Sequence, residues 1–178
     1  MTNTALVIID VQNAVVAGAH RLDETLAVIL DLAARARAAG VPVLYLQHTD
    51  ASEAALNHGA EGWAIHRAVA PEPGETVIEK AASDGFYATS LKSELARRGI
   101  SHLVICGAQT EFCVDATTRA ALSAGYDVTL AADGHTTGDG VMPADKTIAH
   151  TNRVLGWLAH PDHKVEVKTG AEIEFLSR

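Results

Sequence analysis

The chain has 178 residues and carries 22 Asp and Glu residues against 14 Lys and Arg residues, which gives a formal net charge of −8. This length fits one domain with a substantial core, and an acidic chain lacks the positive field that favours nucleic acids or anionic membranes as partners. Since two cysteines do not make a disulfide framework, we predict a single cytoplasmic domain over residues 1–178 with reduced thiols.

Short apolar runs alternate along the chain with longer amphipathic segments. The apolar runs, each predicted to be a strand, are 4–9, 42–47, 76–80, 102–107, 127–132 and 164–169. The segments with a helical pattern are 21–40, 88–99, 114–125 and 143–160. Every run is far shorter than the ~20 residues that span a bilayer, and no charged leader precedes the first run. We therefore expect neither a membrane span nor a signal peptide.

The alternation of strands and helices predicts the fold class. Nearly continuous apolar strands separated by helices are typical of a parallel sheet covered by helices on both faces. Right-handed crossovers then favour a three-layer α/β/α, Rossmann-like, doubly wound architecture with a mostly parallel six-stranded sheet. Ligands of such folds bind beyond the carboxyl ends of the strands, so the residues that follow each strand are the candidates for function.

Three chemically complementary residues follow strands. Asp10 ends the first apolar run, Lys80 ends the third, and Cys113 follows the fourth in the segment GAQTEFCV. Each has a structural interpretation, as a turn residue, a solvated strand end and a small core residue. Because the ends of parallel strands meet at one edge of a sheet, we expect the three to share a site.

An acid, an amine and a thiol together favour nucleophilic acyl transfer. A free thiol with a pKa of ~8.5 is mostly protonated at neutral pH, and a helix N-terminus with a nearby ammonium favours the thiolate. Asp10 could accept the thiol proton and return it to a leaving amine, while Lys80 holds both charges in place. Backbone N–H groups of the turn GAQTEFC could bind the oxyanion.

The segments ALVIIDVQN, TVIEKAASDGFYATSLKSELARRGI and HLVICGAQTEFCVDATTRAALSAGY resemble the cysteine hydrolases of the isochorismatase-like superfamily, which includes nicotinamidases and N-carbamoyl-amide hydrolases. The resemblance implies that Asp10 is the general base, Lys80 the lysine of the triad and Cys113 the nucleophile. It further implies a cis peptide bond between Ala108 and Gln109, with the amides of Gln109 and Cys113 forming the oxyanion hole.

The resemblance also implies the reaction. Family members that cleave ethers lack the cysteine, so we expect hydrolysis of a C–N bond in a small amide, lactam or carbamoyl compound through a thioester. The alternative is a non-catalytic small-molecule-binding or redox-sensing protein on the same scaffold. Since members of the family often form dimers or tetramers, the resemblance implies a homo-oligomer.

Further residues are candidates for contact with a substrate or a metal. The long irregular stretch from about His48 to Gly74 is typical of a segment that covers a site. The predicted substrate-binding residues are Gln12, His48, Trp63, Phe86 and Tyr87. Nicotinamidases carry an Asp-x-His metal pair, whereas this chain has the reversed order in His48 and Asp50, with His66 as a further candidate. We predict that the protein uses no metal and no cofactor.

His135, Thr136 and Thr137 follow the fifth apolar run. Their position at a strand end fits the rim of the site, and burial in the fold is an equal alternative.

Overall fold

The computed structural model describes residues 3–175, so the predicted domain over 1–178 extends beyond the described range at both ends. One six-stranded sheet forms its centre, in the order β3-β2-β1-β4-β5-β6. The strands are β1 (Thr4–Ile9), β2 (Val43–His48), β3 (Thr76–Lys80), β4 (His102–Ala108), β5 (Asp127–Thr136) and β6 (Val165–Lys168). Every neighbouring pair is parallel, which confirms the predicted fold class.

Four α-helices cover the two faces of the sheet. They are α1 (Leu22–Ala38), α2 (Leu91–Arg97), α3 (Asp115–Ser123) and α4 (Ala144–Leu155). Helix α1 packs on one face through apolar residues three apart, Leu26, Ile29 and Leu32, while α2, α3 and α4 pack on the other. None of the helices in residues 3–175 combines the length and apolar character required to cross a bilayer.

Strand β1 illustrates why the strands read as continuous apolar runs. Ala5, Val7 and Ile9 belong to the core beneath α2, α3 and α4, whereas Leu6 and Ile8 belong to the core beneath α1. Successive side chains of a strand point to opposite faces, and helices bury both faces here. Alternation between apolar and polar residues is therefore absent.

Some element boundaries differ from the sequence-based ones. Strand β5 continues through the polar residues DGHT, four positions beyond the apolar run, and its register against β4 shifts between Ile105 and Gly107. Helix α4 ends at Leu155, with Gly156 as its C-terminal cap. Helix α2 begins only at Leu91, after Ala88 adopts a positive φ of 53°.

The order of the strands reverses between β1 and β4, which are neighbours in the sheet although α1, β2, β3 and α2 separate them in the chain. Gly107 of β4 lies against Ile9 of β1 with a φ of 125°, and a Cβ atom at residue 107 would lie 2.1 Å from the Ile9 carbonyl oxygen. Only glycine permits so close an approach. This reversal creates the crevice at the carboxyl ends of the strands where doubly wound proteins bind ligands.

Candidate active site

Asp10, Lys80 and Cys113 meet in this crevice. The Nζ atom of Lys80 lies 2.6 Å from Oδ2 of Asp10 and 3.3 Å from Sγ of Cys113. The carbonyl oxygen of Ala82 accepts a further hydrogen bond from Nζ at 2.9 Å. The side chains of Lys80 and Asp10 are both buried. The ammonium group therefore bridges the carboxylate and the thiol, as the sequence indicated.

The ends of three strands bring these residues together. Asp10 follows β1 with a φ of 48°, and its amide donates to the carbonyl oxygen of Leu46 in β2. Lys80 is the last residue of β3 and pairs in register with His48 of β2. Cys113 lies in a π-helical turn, Thr110–Val114, between β4 and α3.

The environment of Asp10 favours a strong base. Burial raises the pKa of its carboxyl group above the ordinary value, and the charge of Lys80 opposes the rise without cancelling it. Within residues 3–175, Oδ1 of Asp10 has no hydrogen-bond partner. This oxygen is available to receive a proton.

The thiol of Cys113 is not activated in the resting site. Burial raises its pKa to about 11, the negative charge of Asp10 adds to the rise, and Lys80 opposes it. The sequence suggested that an ammonium and a helix N-terminus would favour the thiolate, but burial beside a carboxylate outweighs them. A reaction at Cys113 consequently requires a base to remove its proton during attack.

A cleft of about 360 Å³ opens onto the thiol. Its walls come from the segment after β1, the long loop after β2, the segment after β3 and the π-helical turn. The lining residues are Asp10, Ala14, Val15, His48, Leu56, Ser83, Gln109, Phe112 and Cys113. Sequence reasoning did not identify Val15, Leu56, Ser83 and Phe112 as lining residues. Phe112, which is largely exposed, stands directly before Cys113 and could have been found from that position.

His48 is the one predicted substrate-binding residue that lines the cleft. Its Nδ1 atom lies 3.5 Å from Nζ of Lys80. Burial lowers the pKa of the imidazole, and the charge of Lys80 lowers it further. His48 is thus neutral at pH 7 and offers the cleft a hydrogen-bonding group without a charge.

Gln12 does not line the cleft, and the expectation that it contacts substrate is corrected. Its side chain is fully buried, its Nε2 atom donates to the carbonyl oxygens of His48 and Trp63, and its Oε1 atom accepts from the amide of His48. The amide group is committed to the backbone, so Gln12 fastens the long loop to the end of β2.

Three aromatic residues also lie away from the cleft lining. Trp63 donates its indole N–H to Oγ1 of Thr49 and packs 4.4 Å from the ring of His58. Phe86 packs against the core, 5.7 Å from the ring of Tyr126. Tyr87 projects into solvent. Phe86 and Tyr87 closely follow Lys80 in the sequence and Trp63 lies in the long loop, but none of the three lines the cleft.

The metal candidates do not converge. Among residues 3–175, no group of three or more His, Cys, Asp or Glu side chains has the arrangement of a metal site. Asp50 is bound to the amide and hydroxyl of Ser52, and Nδ1 of His66 accepts from the amide of Ala68.

The turn before Cys113 has an unusual backbone. The peptide bond between Ala108 and Gln109 is cis, at the position that the resemblance implied. The carbonyl oxygen of Gln109 then accepts from the amide of Val114 at 3.2 Å, which closes the wide turn around Cys113. Gln109 and Cys113 both line the cleft.

Comparisons with known proteins identify the family of this chain. Residues 4–159 match the family model of the isochorismatase domain. A streptothricin hydrolase of Streptomyces noursei is 39% identical over 178 residues, covering 98% of this chain and 62% of that protein. A ureidoacrylate amidohydrolase of Methylobacterium radiotolerans is 29% identical, covering 88% of this chain and 76% of that protein.

A solved structure gives the same result for the fold. The crystal structure of N-carbamoylsarcosine amidase from Thermoplasma acidophilum superposes with a TM-score of 0.78 at 26% identity, covering 97% of this chain and 99% of that chain. The chain spans 62% and 59% of the length of the two streptothricin hydrolases that it matches.

Proposed function

We propose that this chain, which belongs to the isochorismatase family, is a cysteine hydrolase. Its proposed reaction is cleavage of a C–N bond in a small amide, lactam or carbamoyl compound. The observation that carries the proposal is the position of the Lys80 ammonium, 2.6 Å from the Asp10 carboxylate and 3.3 Å from the Cys113 thiol. Two of the similar proteins are named as an amidohydrolase and an amidase.

The first half of the reaction forms a thioester. Asp10 removes the proton from Cys113 as Sγ attacks the carbonyl carbon, because a thiol with a pKa of about 11 needs a base. The backbone amides of Gln109 and Cys113 donate to the developing oxyanion. When the tetrahedral intermediate collapses, the C–N bond breaks and Asp10 returns the proton to the leaving nitrogen.

The second half restores the enzyme. Water enters where the amine has left, Asp10 takes one of its protons, and the hydroxide adds to the thioester carbon. Collapse breaks the C–S bond, and the thiolate recovers its proton from Asp10. The positive charge of Lys80, within reach of both Asp10 and Cys113, stabilises whichever of these two neighbours carries the negative charge.

The cleft supports a small substrate with an apolar flank. Its volume of about 360 Å³ lies near the lower end of the ~300–1,000 Å³ that is usual for ligand pockets. Val15, Leu56 and Phe112 provide an apolar wall, and the neutral His48 provides a hydrogen-bonding group. Streptothricin is the first compound to test, because a relative with 39% identity is named for its hydrolysis.

The redox-sensing alternative has less support. Redox-sensing cysteines have low pKa values and are readily accessible, whereas burial raises the pKa of Cys113. The expected homo-oligomer and the cytoplasmic location stay proposals. Light scattering of the purified protein tests the first of these.

The test uses the purified chain with streptothricin, a small lactam, an N-carbamoyl amino acid and a primary amide. We expect turnover of at least one compound and, by intact-protein mass spectrometry, an acyl adduct on Cys113. The variant Cys113→Ala should lose turnover. The matched control is Cys106→Ala, which removes the other thiol, buried in β4, and should keep turnover. Wild-type turnover in Cys113→Ala would disprove the proposal.

A further inference from the structure

His135 lies behind the nucleophile turn, on the far side from Asp10 and Lys80 in the strand order. The ring is buried, with 1% of its surface exposed, so the rim interpretation of this residue is wrong. Its Nδ1 atom lies 2.9 Å from Oγ1 of Thr110, and its Nε2 atom lies 2.9 Å from Oδ1 of Asn152. Thr110 is the first residue of the π-helical turn that carries Cys113.

Thr110, His135, Asn152 and the carbonyl group of Ala132 form a chain of hydrogen bonds. The partners of Asn152 fix the donor and the acceptor in each of these bonds. The carbonyl oxygen of Ala132 can only accept, so the amide nitrogen of Asn152 must face it, and Nδ2 donates at 3.0 Å. The amide oxygen of Asn152 therefore faces His135, and Nε2 of the ring must donate to it. Burial lowers the pKa of His135, so the ring is neutral and its Nδ1 is an acceptor. Thr110 must then donate its hydroxyl proton to Nδ1.

We propose that His135 and Asn152 are positioning residues for the nucleophile, and that they hold the turn with Cys113 and Gln109 through this one-directional hydrogen-bond chain. The inference rests on the proposed function, since it assigns a catalytic consequence to the position of Cys113. Neither residue lines the cleft in front of the thiol. Both act through Thr110.

The geometry explains why the turn needs such an anchor. The turn is closed by a wide backbone hydrogen bond, from the amide of Val114 to the carbonyl oxygen of Gln109. Such π-helical turns are rare, occur mostly as single turns and are frequent at functional sites. Thr110 is fully buried, and the chain from its hydroxyl runs through β5 to α4. The position of Cys113 is thereby tied to two rigid elements.

The direction of the chain can be read by NMR. In protein labelled with nitrogen-15 histidine, long-range proton–nitrogen correlations should show His135 protonated at Nε2 and bare at Nδ1. Loss of the signal in His135→Gln assigns the ring. A proton on Nδ1 would reverse the direction of the hydrogen bonds and disprove the chain as described.

The consequence for the nucleophile is tested with matched threonine variants. Thr110→Val removes the hydroxyl that donates to His135 and keeps the shape of the side chain. Thr118→Val makes the same change at a fully buried threonine whose hydroxyl has no hydrogen-bond partner within residues 3–175. We expect kcat of Thr110→Val to fall by about 10- to 100-fold with little change in KM, because a small displacement of reacting groups has effects of that order. Thr110→Ser should recover most of the loss.

Alkylation of Cys113 by iodoacetamide provides a readout that needs no substrate. The Sγ–C bond forms as iodide leaves, and Asp10 receives the thiol proton, so the rate depends on the alignment of Asp10 with Cys113. Labelling of Thr110→Val should be slower than labelling of Thr118→Val by about tenfold or more. Equal labelling rates, or equal kcat values, would disprove the positioning role.

The cysteine and threonine variants test the proposed function and the positioning role separately. If Cys113→Ala abolishes turnover while Thr110→Val behaves as Thr118→Val, the positioning role is wrong and the proposed function stands. If Cys113→Ala retains turnover, the proposed function is wrong.

Discussion

Cys113, the proposed nucleophile, lies between two polar regions of opposite character. On the side of β1 and β3, Asp10 and Lys80 form a charged, buried pair, and one carboxylate oxygen has no hydrogen-bond partner in the described residues. On the side of β5 and α4, His135 and Asn152 form a neutral chain in which both ring nitrogens are bonded. In the proposed mechanism, the Asp10 carboxylate with its unbonded oxygen makes Cys113 reactive. The hydrogen bonds of His135 and Asn152 are all formed, so these two residues fix the position of Cys113. The following variants separate these two contributions.

Asp10→Asn should have the largest effect on activity. The amide cannot accept the thiol proton, and general-base catalysis is worth roughly 10²- to 10⁴-fold, so kcat/KM should fall by about that factor. Steady-state kinetics on the best substrate measures it. A loss smaller than that of Thr110→Val would show that reactivity does not come from the charged side.

Lys80→Met should have the largest effect on stability. Removing one partner of a buried ion pair costs about 3–5 kcal/mol in the free energy of unfolding, because the other charge stays buried and unpaired. The double variant Asp10→Asn/Lys80→Met should be less destabilised than the sum of the two single variants. Urea unfolding of the four proteins measures the difference, and simple additivity would contradict a coupled pair.

The acid limb of the rate profile should report Asp10. The carboxyl group of Asp10 must be ionised to act as a base, so kcat/KM should fall when decreasing pH protonates it. Because burial raises the pKa of this group, the fall should occur at a higher pH than the ordinary aspartate pKa of about 3.9 would give. The profile of kcat/KM against pH measures this. His48→Gln is the control, since His48 is also near Lys80, and an acid limb that disappears in this variant would reassign the titration to His48.

Asn152→Ala should have the smallest of these effects. It leaves the N–H of the His135 ring and the carbonyl oxygen of Ala132 without their partner, which costs about 1–3 kcal/mol in the free energy of unfolding. Because the charged side is untouched, the acid limb should stay at the same pH while kcat falls. A displaced acid limb would show that the two regions are not separate.

The meeting of Asp10, Lys80 and Cys113 was predictable from the sequence because its signals are local. Apolar runs ending at Asp10 and Lys80 mark strand ends, and parallel pairing brings such ends to one edge. The segment GAQTEFCV marks the nucleophile turn by itself. The sheet was predictable for the same reason. A strand that is buried on both faces has an almost continuous apolar sequence, and this pattern can be recognised without knowing which strands lie beside it.

The walls of the cleft were not predictable, because they depend on contacts between distant segments. Gln12 follows Asp10 and looked like a site residue, yet its amide binds the backbone of His48 and Trp63 across the fold. Leu56 lines the cleft from the long loop after β2, which the side chain of Gln12 fastens to the end of that strand. For His135 the sequence left the rim of the site and burial as equal alternatives, because the residue is buried against Asn152 of α4, a partner that is distant in the sequence.

Gly107 has a consequence for how the protein tolerates mutation. Its close contact with Ile9 joins the two strands whose ends carry Asp10 and the turn of Cys113. A methyl group at residue 107 would force these strands apart at the point where base and nucleophile must stay within reach of each other. In a saturation scan for activity, this glycine, which touches no substrate, should therefore be as intolerant of replacement as the cysteine itself.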